Sequence, residues 1–395
     1  MKLTLFLFFI VSASFCFSQK LDEKFLEGFN FRNVGPAGMS GRITAIDVVL
    51  AHPEHIYIGS ASGGVWESKD GGIVWKPIFD DQPALSIGSI KINQQNPGEI
   101  WVGTGEGNPR NSQNSGKGIF RTLDGGRTWA SMGLTDTKAI HRILIDRLQP
   151  STIYAGALGS SWGPNQERGV FKSVDSGKTW NKILYTNDRS GVADMVMDPD
   201  NPRKIIAALW EFGRTPWDFN SGGPGSGLYI TYDGGGKWKR ITDEEGIPKG
   251  NLGRIGLAIA ASSPDIIYAL IEAKENGLYK SSDGGEHWSL VSTKNIGNRP
   301  FYYSELYVDP KNENRIWNLY STVAQSEDGG RTFTGGLGGV HPDHHAFWIH
   351  PDNPNYLIEG NDGGLNISRD GGRTWYFCSN IPVGQFYHIN IDHEY

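Results

Sequence analysis

The stretch Ser368-Arg-Asp-Gly-Gly-Arg-Thr-Trp375 recurs along the chain, and its spacing decides the fold. Six further copies of this eight-residue motif are present, at Ser68–Trp75, Thr122–Trp129, Ser173–Trp180, Thr231–Trp238, Ser281–Trp288 and Ser326–Phe333. Successive copies begin roughly 42 to 58 residues apart, and a repeat of that length is typical of one propeller blade.

Every copy keeps an aspartate at its third position, namely Asp70, Asp124, Asp175, Asp233, Asp283, Asp328 and Asp370. A glycine follows two residues later, and six of the seven copies end in tryptophan. The motif predicts a tight β-hairpin, because the aspartate accepts hydrogen bonds from turn amides and the glycine takes up a positive φ. The aromatic ring then packs into the neighbouring sheet. We expect these aspartates to be structural, since one aspartate per turn offers too few oxygens for calcium.

The same order of strands surrounds each motif. An alternating apolar strand, such as 139–146, is followed by a Pro/Asn turn like that at 198–202. A second strand follows, as at 100–103, and a third, as at 169–173, runs into the motif, from which a fourth leaves. The sequence therefore predicts an all-β fold, a seven-bladed β-propeller of four-stranded antiparallel blades, with the first strand of a further blade at the C-terminus.

The expected domain organisation has three parts. Residues 1–18 form a signal peptide, since one lysine and a short apolar run precede small residues. Residues 19–384 form the propeller, and residues 385–395 begin a following blade or a second propeller. This predicts a secreted or periplasmic protein with no transmembrane segment after signal cleavage. A lipid anchor at Cys16 is the alternative, and without Cys16 only Cys378 remains, so no internal disulfide is possible.

Two segments lie outside the seven units. Phe29–Val34 reads as a strand, and we expect it to complete the seventh blade. Gln385–Asp392 reads as the first strand of an eighth unit, so we interpret the chain as an N-terminal fragment whose C-terminal region is a partner of this one. The formal net charge of −6 and the absence of a basic stripe argue against nucleic acid, and no cofactor is predicted.

The chain after the signal resembles the BNR or Asp-box repeat propellers of secreted bacterial proteins of the sortilin N-terminal-like type. The most specific matches are Phe31-Arg-Asn-Val-Gly-Pro36, Gly103-Thr-Gly-Glu-Gly-Asn108, Asp343-His-His-Ala-Phe-Trp348, Gly360-Asn-Asp-Gly-Gly364 and Gly384-Gln-Phe-Tyr387. Members of this group are often called glycosyl hydrolases, although the repeats themselves are structural.

Two related enzyme families imply specific residues. Xyloglucanase propellers carry a catalytic aspartate in an early Gly-rich segment similar to Gly59–Trp66, but Ser62 occupies that position here and has no acid–base capacity. Sialidases begin with Phe-Arg-Ile-Pro and need three arginines with a Tyr–Glu pair. The stretch Phe31-Arg-Asn-Val34 matches only through Arg32. Neither enzyme assignment transfers directly.

Strand direction predicts that the Asp boxes share one face with the Pro/Asn turns. The opposite face, here called the loop face, then carries long loops in the second, third and fourth blades, beginning near Glu106, Trp162 and Trp210. Long loops on a rigid scaffold are a usual location of function.

Candidate site residues come mostly from these loops. Four acids are candidate catalytic carboxylates or, alternatively, loop-capping groups: Glu106, Glu211, Asp218 and Asp362. Three tryptophans are candidates for sugar or peptide stacking or, alternatively, for anchoring the loops: Trp162, Trp210 and Trp217. The remaining ligand-binding candidates are polar side chains: Asn108, Arg110, Arg168, Arg214, His344 and His345.

The histidine cluster and the channel allow further expectations. His341, His344 and His345 suit a metal ion, but adjacent strand residues point to opposite faces, so we favour a hydrogen-bonded histidine near the channel and predict no metal site. Four residues share one register of the inner strands and predict a mixed-charge central channel: Arg142, Asp194, Glu305 and His388.

Two functions remain open at this point. The favoured hypothesis is a secreted propeller scaffold that binds a peptide, protein or carbohydrate ligand on the loop face, without enzymatic activity of its own. The alternative is a glycoside hydrolase of xyloglucanase or sialidase type, completed by a C-terminal propeller. A convergent carboxylate pair on the loop face distinguishes the two.

Overall fold

A computed structural model describes residues 24, 40–110, 112–297 and 305–384. Residues 36–395 form one compact unit, and of the preceding unit, residues 1–35, only Lys24 is described. The predicted signal peptide, Phe29–Val34 and Gln385–Asp392 therefore lie outside the described residues. In the described part, no helix is long and apolar enough to span a membrane.

The described residues form seven antiparallel sheets that correspond to the seven predicted blades. The strands of blades 1 to 3 are β1 (Ile43–Val48), β2 (Ile56–Ser60), β3 (Val65–Ser68), β4 (Lys76–Pro77); β5 (Ile87–Ile92), β6 (Ile100–Thr104), β7 (Ile119–Thr122), β8 (Ala130–Ser131); β9 (Ile140–Ile145), β10 (Ile153–Ala157), β11 (Gly169–Ser173) and β12 (Asn181–Leu184). Those of blades 4 and 5 are β13 (Ser190–Met197), β14 (Ile205–Arg214), β15 (Phe219–Ser221), β16 (Gly227–Thr231), β17 (Lys239–Ile241); β18 (Ile255–Ile259), β19 (Ile267–Ile271), β20 (Gly277–Ser281) and β21 (Ser289–Ser292). Those of blades 6 and 7 are β22 (Glu305–Asp309), β23 (Asn312–Leu319), β24 (Val323–Ser326), β25 (Thr334–Gly335); β26 (His344–Ile349), β27 (Leu357–Asn361), β28 (Gly364–Ser368) and β29 (Tyr376–Phe377).

Each blade runs from an inner first strand to a short outer fourth strand, and the first strands of neighbouring blades contact one another around the ring. The ring closes where β1 meets β26 and β27. The predicted seven-bladed propeller is thereby confirmed. Two short 3₁₀ helices, Thr135–Thr137 and Asp243–Glu245, lie between blades.

The core lies between successive blades. Branched residues of one sheet interdigitate with those of the next, as where Ile206 and Ile230 of blade 4 pack with Ile255 and Ile267 of blade 5. This arrangement follows from the strand sequences, because strands covered on both faces are apolar at consecutive positions. Burial of these side chains between sheets supplies the main stabilisation. In the described part of the chain, Cys378 is a free, buried thiol, so no disulfide contributes there.

The Asp boxes have the predicted hairpin geometry. In the third blade, Asp175 Oδ1 accepts from the Ser173 hydroxyl at 2.8 Å and from the Thr179 amide at 2.9 Å, while Gly177 has φ = 82°. The indole of Trp180 donates to the carbonyl of Met132 in the preceding interblade segment at 2.8 Å. The box therefore ties its own hairpin and the neighbouring blade together.

The predicted distribution of loops between the two faces is also confirmed. In each blade a glycine or serine amide of the Asp box donates to a carbonyl of the turn between the first and second strands or of the start of the second strand, as Gly71 does to Glu54 at 2.8 Å. The boxes and these turns therefore share one face, and the second-to-third strand connections lie on the other.

The loop of the fourth blade differs from the prediction. Its first residues, Trp210–Arg214, continue β14, and the last three of them pair with β15, so this segment is a β-hairpin and not an irregular loop. The hairpin forms because alternate residues Trp210 and Phe212 stack at 4.3 Å on one side, which extends the apolar pattern of the strand.

Candidate functional site

The central feature of the loop face is an ion-pair network around Arg42, which directly precedes β1. Its guanidinium donates to Glu106 Oε1 at 2.5 Å and to the two oxygens of Asp362 at 2.5 and 3.1 Å. Glu106 follows β6 and Asp362 follows β27, so the network joins blades 1, 2 and 7 where the inner strands begin. Glu106 is fully buried and Arg42 nearly so.

Arg110 extends this network toward solvent. Its Nε donates to Glu106 Oε2 at 2.8 Å, and its Nη2 donates to the hydroxyl of Ser62 at 3.3 Å. Ser62 also accepts from Asn114 at 3.1 Å. A cavity of about 360 Å³ lies beside these side chains and is lined by Arg42, Ser62, Trp66, Arg110 and Val383. The position of the xyloglucanase aspartate is thus occupied by a hydroxyl bonded to cationic and amide donors.

A chain of hydrogen bonds leads from Asp362 across the channel. His345 Nε2 lies 2.8 Å from Asp362 Oδ1, and His345 Nδ1 lies 2.9 Å from the amide nitrogen of Asn108. The amide oxygen of Asn108 accepts from Arg254 at 2.6 Å. One neutral tautomer of His345, protonated at Nε2, satisfies all these contacts.

Deeper in the channel a second charged group is present. Arg142 donates to Asp194 at 2.7 Å and lies 3.5 Å from Glu305, which accepts from Tyr307 at 2.7 Å. Arg142, Glu305, Tyr307 and His141 line a cavity of about 380 Å³. The predicted mixed-charge channel is confirmed for Arg142, Asp194 and Glu305, whereas His388 lies outside the described residues.

Burial and charge set the protonation states of the network. Burial alone would raise the pKa of Asp362, but the His345 hydrogen bond and the Arg42 guanidinium hold it well below its usual range. Burial, followed by the charge of Arg42, lowers the pKa of His345. Burial and the charges of Arg142 and Arg254 lower the pKa of His141 far below its usual value. Both histidines are therefore neutral at pH 7.

These states limit what the two carboxylates can do chemically. Glu106 and Asp362 converge on one guanidinium, so they form the convergent pair that the sequence left open. A glycosidase acid must be protonated, and the depressed pKa of Asp362 excludes that role for it at neutral pH. Arg42 occupies the space between the carboxylates, where hydrolysis requires the reacting bond.

The tryptophan candidates fall into two groups. Trp210 is completely buried, stacks on Phe212 and lies beneath the Arg254 guanidinium, so it anchors the hairpin and presents no face to a ligand. The side chains of Trp217 and Trp162 are 86% and 44% exposed. Stacking on a ligand therefore stays a prediction for these two.

The arginine candidates also divide. Arg168 is completely buried and donates to the carbonyls of Leu158 and Gly163 at 2.7 and 3.1 Å, and to that of Ser160. Its guanidinium holds the third-blade loop together, which overturns the expectation that it contacts a ligand directly. Arg214 lies over the Phe219 ring at 5.4 Å on the exposed hairpin.

The remaining acids lie apart from the network. Glu211 accepts from Asn187 at 3.1 Å and from the Gly225 amide at 2.8 Å, which is the loop-capping role left open for it. Asp218 is exposed at the tip of the hairpin, where its carbonyl accepts from the amide of Thr215.

The two adjacent histidines have separate partners, as their strand positions predict. His344 bonds Glu359, a buried carboxylate that also accepts from Asn361 at 2.8 Å and Asn366 at 3.0 Å, whereas His345 faces the channel. In the described part of the chain, no group of three or more histidine, cysteine or acidic side chains is arranged to hold a metal ion.

Sequence reasoning missed Arg42, Arg254 and His141. Arg42 and Arg254 occupy equivalent positions, since each follows a glycine and directly precedes the first strand of its blade, β1 or β18. This position is a signal that could have found both arginines, because it lies at the same end of the strands from which the Glu106 and Asp362 segments emerge.

Comparisons with known proteins agree with this architecture. The model of the family described as "Sortilin, neurotensin receptor 3" matches residues 117–248. A xyloglucanase of a Paenibacillus species is 22% identical over 351 residues, which cover 78% of this chain and 32% of that enzyme. The xyloglucanase Xgh74A of Acetivibrio thermocellus is 23% identical over 378 residues, covering 82% and 42%. The chain thus spans less than half the length of these relatives.

Solved structures show the same fold. The Niastella koreensis GH74 enzyme superposes with a TM-score of 0.61 at 18% identity, over 88% of this chain and 54% of that one. YCF48 bound to the D1 peptide superposes with a TM-score of 0.54 at 15% identity, over 85% and 98%. The chain is therefore a BNR-type propeller related to the xyloglucanase propellers, and its relatives are glycoside hydrolase-like.

Proposed function

We propose that this protein is a secreted or periplasmic propeller that binds an oligosaccharide or polysaccharide on its loop face. The observation that carries the proposal is the pair of exposed indoles, Trp162 and Trp217, on loops of adjacent blades. Flat exposed indoles bind the apolar faces of sugar rings, and neighbouring hydrogen-bond donors bind hydroxyls.

Contacts between the loops support one continuous binding surface. Ser161 of the third-blade loop bonds Gln113 of the second-blade loop, and its carbonyl accepts from the Arg214 amide of the fourth blade at 2.8 Å. Arg110 and the cavity beside Ser62 lie at one end of this surface, and Trp217 lies on the hairpin at the other. The similarity to xyloglucanases favours a xyloglucan-like ligand.

Binding without hydrolysis is the activity we propose for this chain. Ser62 lacks a carboxylate, and Glu106 and Asp362 are both held by the Arg42 guanidinium, with Arg110 as a second cation on Glu106. If a longer protein contains this propeller, hydrolysis requires carboxylates from its other parts.

A peptide ligand is the second candidate. YCF48, the propeller solved with a bound peptide, shares this fold over nearly its whole length. The loop face offers arginine donors, such as Arg110 and Arg214, that suit peptide carboxylates.

The test measures binding of the purified chain to a glycan array and a peptide array, and turnover of xyloglucan and sialosides. We expect glycan binding without turnover. Trp217→Ala and Trp162→Ala together should weaken binding by about 2 kcal/mol or more if they are hot spots. Tyr376→Ala, which removes an exposed aromatic ring from the seventh blade outside the loop face, is the matched control.

Three outcomes would contradict the proposal. Unchanged affinity in the double tryptophan variant would show that the glycan does not bind at Trp162 and Trp217. Binding to peptides alone would favour the second candidate, a peptide ligand. Hydrolysis by the parent that is lost in Glu106→Gln or Asp362→Asn would establish the enzyme alternative.

A further inference from the structure

A second site is indicated on the Asp-box face, where the repeats themselves provide the comparison. In three blades an aromatic residue of the second strand pairs with a cationic residue of the third strand. The cation lies over the ring at 5.2 to 5.4 Å in the pairs Trp101–Arg121, Tyr154–Lys172 and Tyr268–Lys280.

In the third blade this cation also bridges the boundary between blades. The ammonium of Lys172 donates to the carbonyl of Gly234 at 2.7 Å, and Gly234 belongs to the Asp box of the fourth blade. The Tyr154 hydroxyl donates to the same carbonyl at 3.2 Å. A lysine side chain of the protein thus fills the interblade groove at this position.

In the first blade, the third-strand residue that pairs with the aromatic residue is an acid and not a cation. Tyr57 pairs with Glu67, and His55 lies two residues before Tyr57. In the second blade the acidic and basic residues exchange places. Glu99 lies two residues before Trp101, and Arg121 pairs with Trp101 across the strands. A carboxylate cannot donate to the carbonyl of Gly125, which corresponds to Gly234 in the next Asp box. The third strand of blade 1 therefore supplies no ammonium to this carbonyl, and the ammonium beside Glu67 comes from Lys69 at the exposed rim.

A large cavity lies at this position. It measures about 1180 Å³ and is lined by Glu67, Lys76 and Asp80 on the first-blade side and by Gly125 and Trp129 on the second-blade side. In volume it exceeds both the cavity on the loop face and the channel cavity.

The buried end of this cavity is acidic. Glu67 is 7% exposed. Its Oε1 lies 2.7 Å from His55 Nε2, 3.0 Å from the Tyr57 hydroxyl and 3.3 Å from Lys69 Nζ. Burial alone would raise the pKa of Glu67, but these three groups lower it, so the carboxylate is ionised at neutral pH. Because all three contacts end on Oε1, the second oxygen remains an acceptor on the lining.

The rim of the cavity adds further charges. Its lining contains the carboxylates of Asp80, Asp81 and Asp124 and the cations of Lys69, Lys76 and Arg127. Burial, followed by the charge of Asp81, raises the pKa of Asp80. Lys69 is 69% exposed, so it reaches Glu67 from the rim and can be displaced.

We propose that this interblade groove binds a lysine side chain of another protein. The incoming ammonium donates to the second oxygen of Glu67 and to the carbonyl of Gly125, as Lys172 donates to the carbonyl of Gly234 in the third blade. An aliphatic stem of that length reaches the buried carboxylate while the backbone of the partner stays on the rim. The site lies on the face opposite the proposed glycan surface and is independent of it.

Calorimetric titration of the full chain with Nα-acetyl-lysine-N-methylamide tests the proposal. The uncharged norleucine analogue and a glucosamine oligomer serve as comparison probes. We expect binding of the lysine probe alone. Equal binding of the norleucine analogue, no binding of any probe, or binding of the glucosamine oligomer without the lysine probe would overturn the assignment. This comparison needs no variant and therefore no assumption about folding.

Two variants should change the affinity for the lysine probe in opposite directions. Glu67→Gln keeps the shape and should weaken binding roughly tenfold or more, because a charge-assisted hydrogen bond becomes a neutral one. Lys69→Met should strengthen binding, since it removes the internal competitor. Asp352→Asn and Lys311→Met, at an exposed ion pair between blades 6 and 7, are the matched controls and should leave affinity unchanged. Wild-type affinity in Glu67→Gln would show that the lysine probe binds elsewhere.

Discussion

The Asp boxes and the Arg42 network stabilise the same ring by different means. An Asp box is built from eight consecutive residues, is repeated seven times, and keeps its aspartate near solvent. The Arg42 network occurs once, is largely buried, and joins residues that are 64 and 320 positions apart. Loss of one box therefore affects one hairpin, whereas loss of Arg42 removes the guanidinium from Asp362 and leaves Arg110 as the remaining cation on buried Glu106.

The largest effect is expected from Arg42→Met. Removing one partner of a buried ion pair leaves an uncompensated charge and should lower the free energy of unfolding by about 3–5 kcal/mol, measured by urea denaturation. Adding Glu106→Gln and Asp362→Asn to Arg42→Met should restore most of the loss. A single variant as stable as the parent would show that the carboxylates do not depend on Arg42.

Trp180→Ala should have an effect of similar or slightly smaller size. The indole packs edge-on against Trp101 at 6.5 Å and bonds Met132, so its truncation empties an interblade pocket and should cost about 3 kcal/mol in the same assay. Ligand binding on the loop face should survive at temperatures where the fold does. Loss of binding with an unchanged denaturation curve would contradict the structural role of the boxes.

Acid should affect the network through Asp362. Its folded pKa lies below the unfolded value of 3.8, so its contribution to stability is complete above that value and is lost as the pH falls further. The parent should lose stability more steeply than Asp362→Asn as the pH is lowered from 5 to 2, measured by thermal unfolding at each pH. Parallel curves would show that Asp362 is not stabilised in the folded state.

The smallest effect is expected from Asp175→Ala. The variant removes the acceptor for the Ser173 hydroxyl and the Thr179 amide, but the site faces solvent, where water replaces these bonds. The melting temperature should fall by roughly 2 °C or less, measured by calorimetry. A fall as large as that of Arg42→Met would remove the distinction between the two regions.

The parts of the structure that depend on local sequence were predictable. The hairpin at Asp175 and the register that brings Arg142 to Asp194 follow from spacing alone, because neighbours in the repeat remain neighbours in the ring. The role of Trp210 was not predictable, since its burial depends on the unexpected pairing of β14 with β15. Arg42 was missed because its partners come from other blades, and no periodicity connects residues so far apart.

The span of the Arg42 network has a consequence for the order of events during synthesis. Glu106 emerges 64 residues after Arg42, but Asp362 emerges 320 residues after it. At typical elongation rates the guanidinium waits roughly 15 to 60 seconds for its second carboxylate. Earlier blades can assemble locally during that interval, but the channel mouth cannot. Since contacts between distant residues form slowly, closing the ring should be the late step that completes folding.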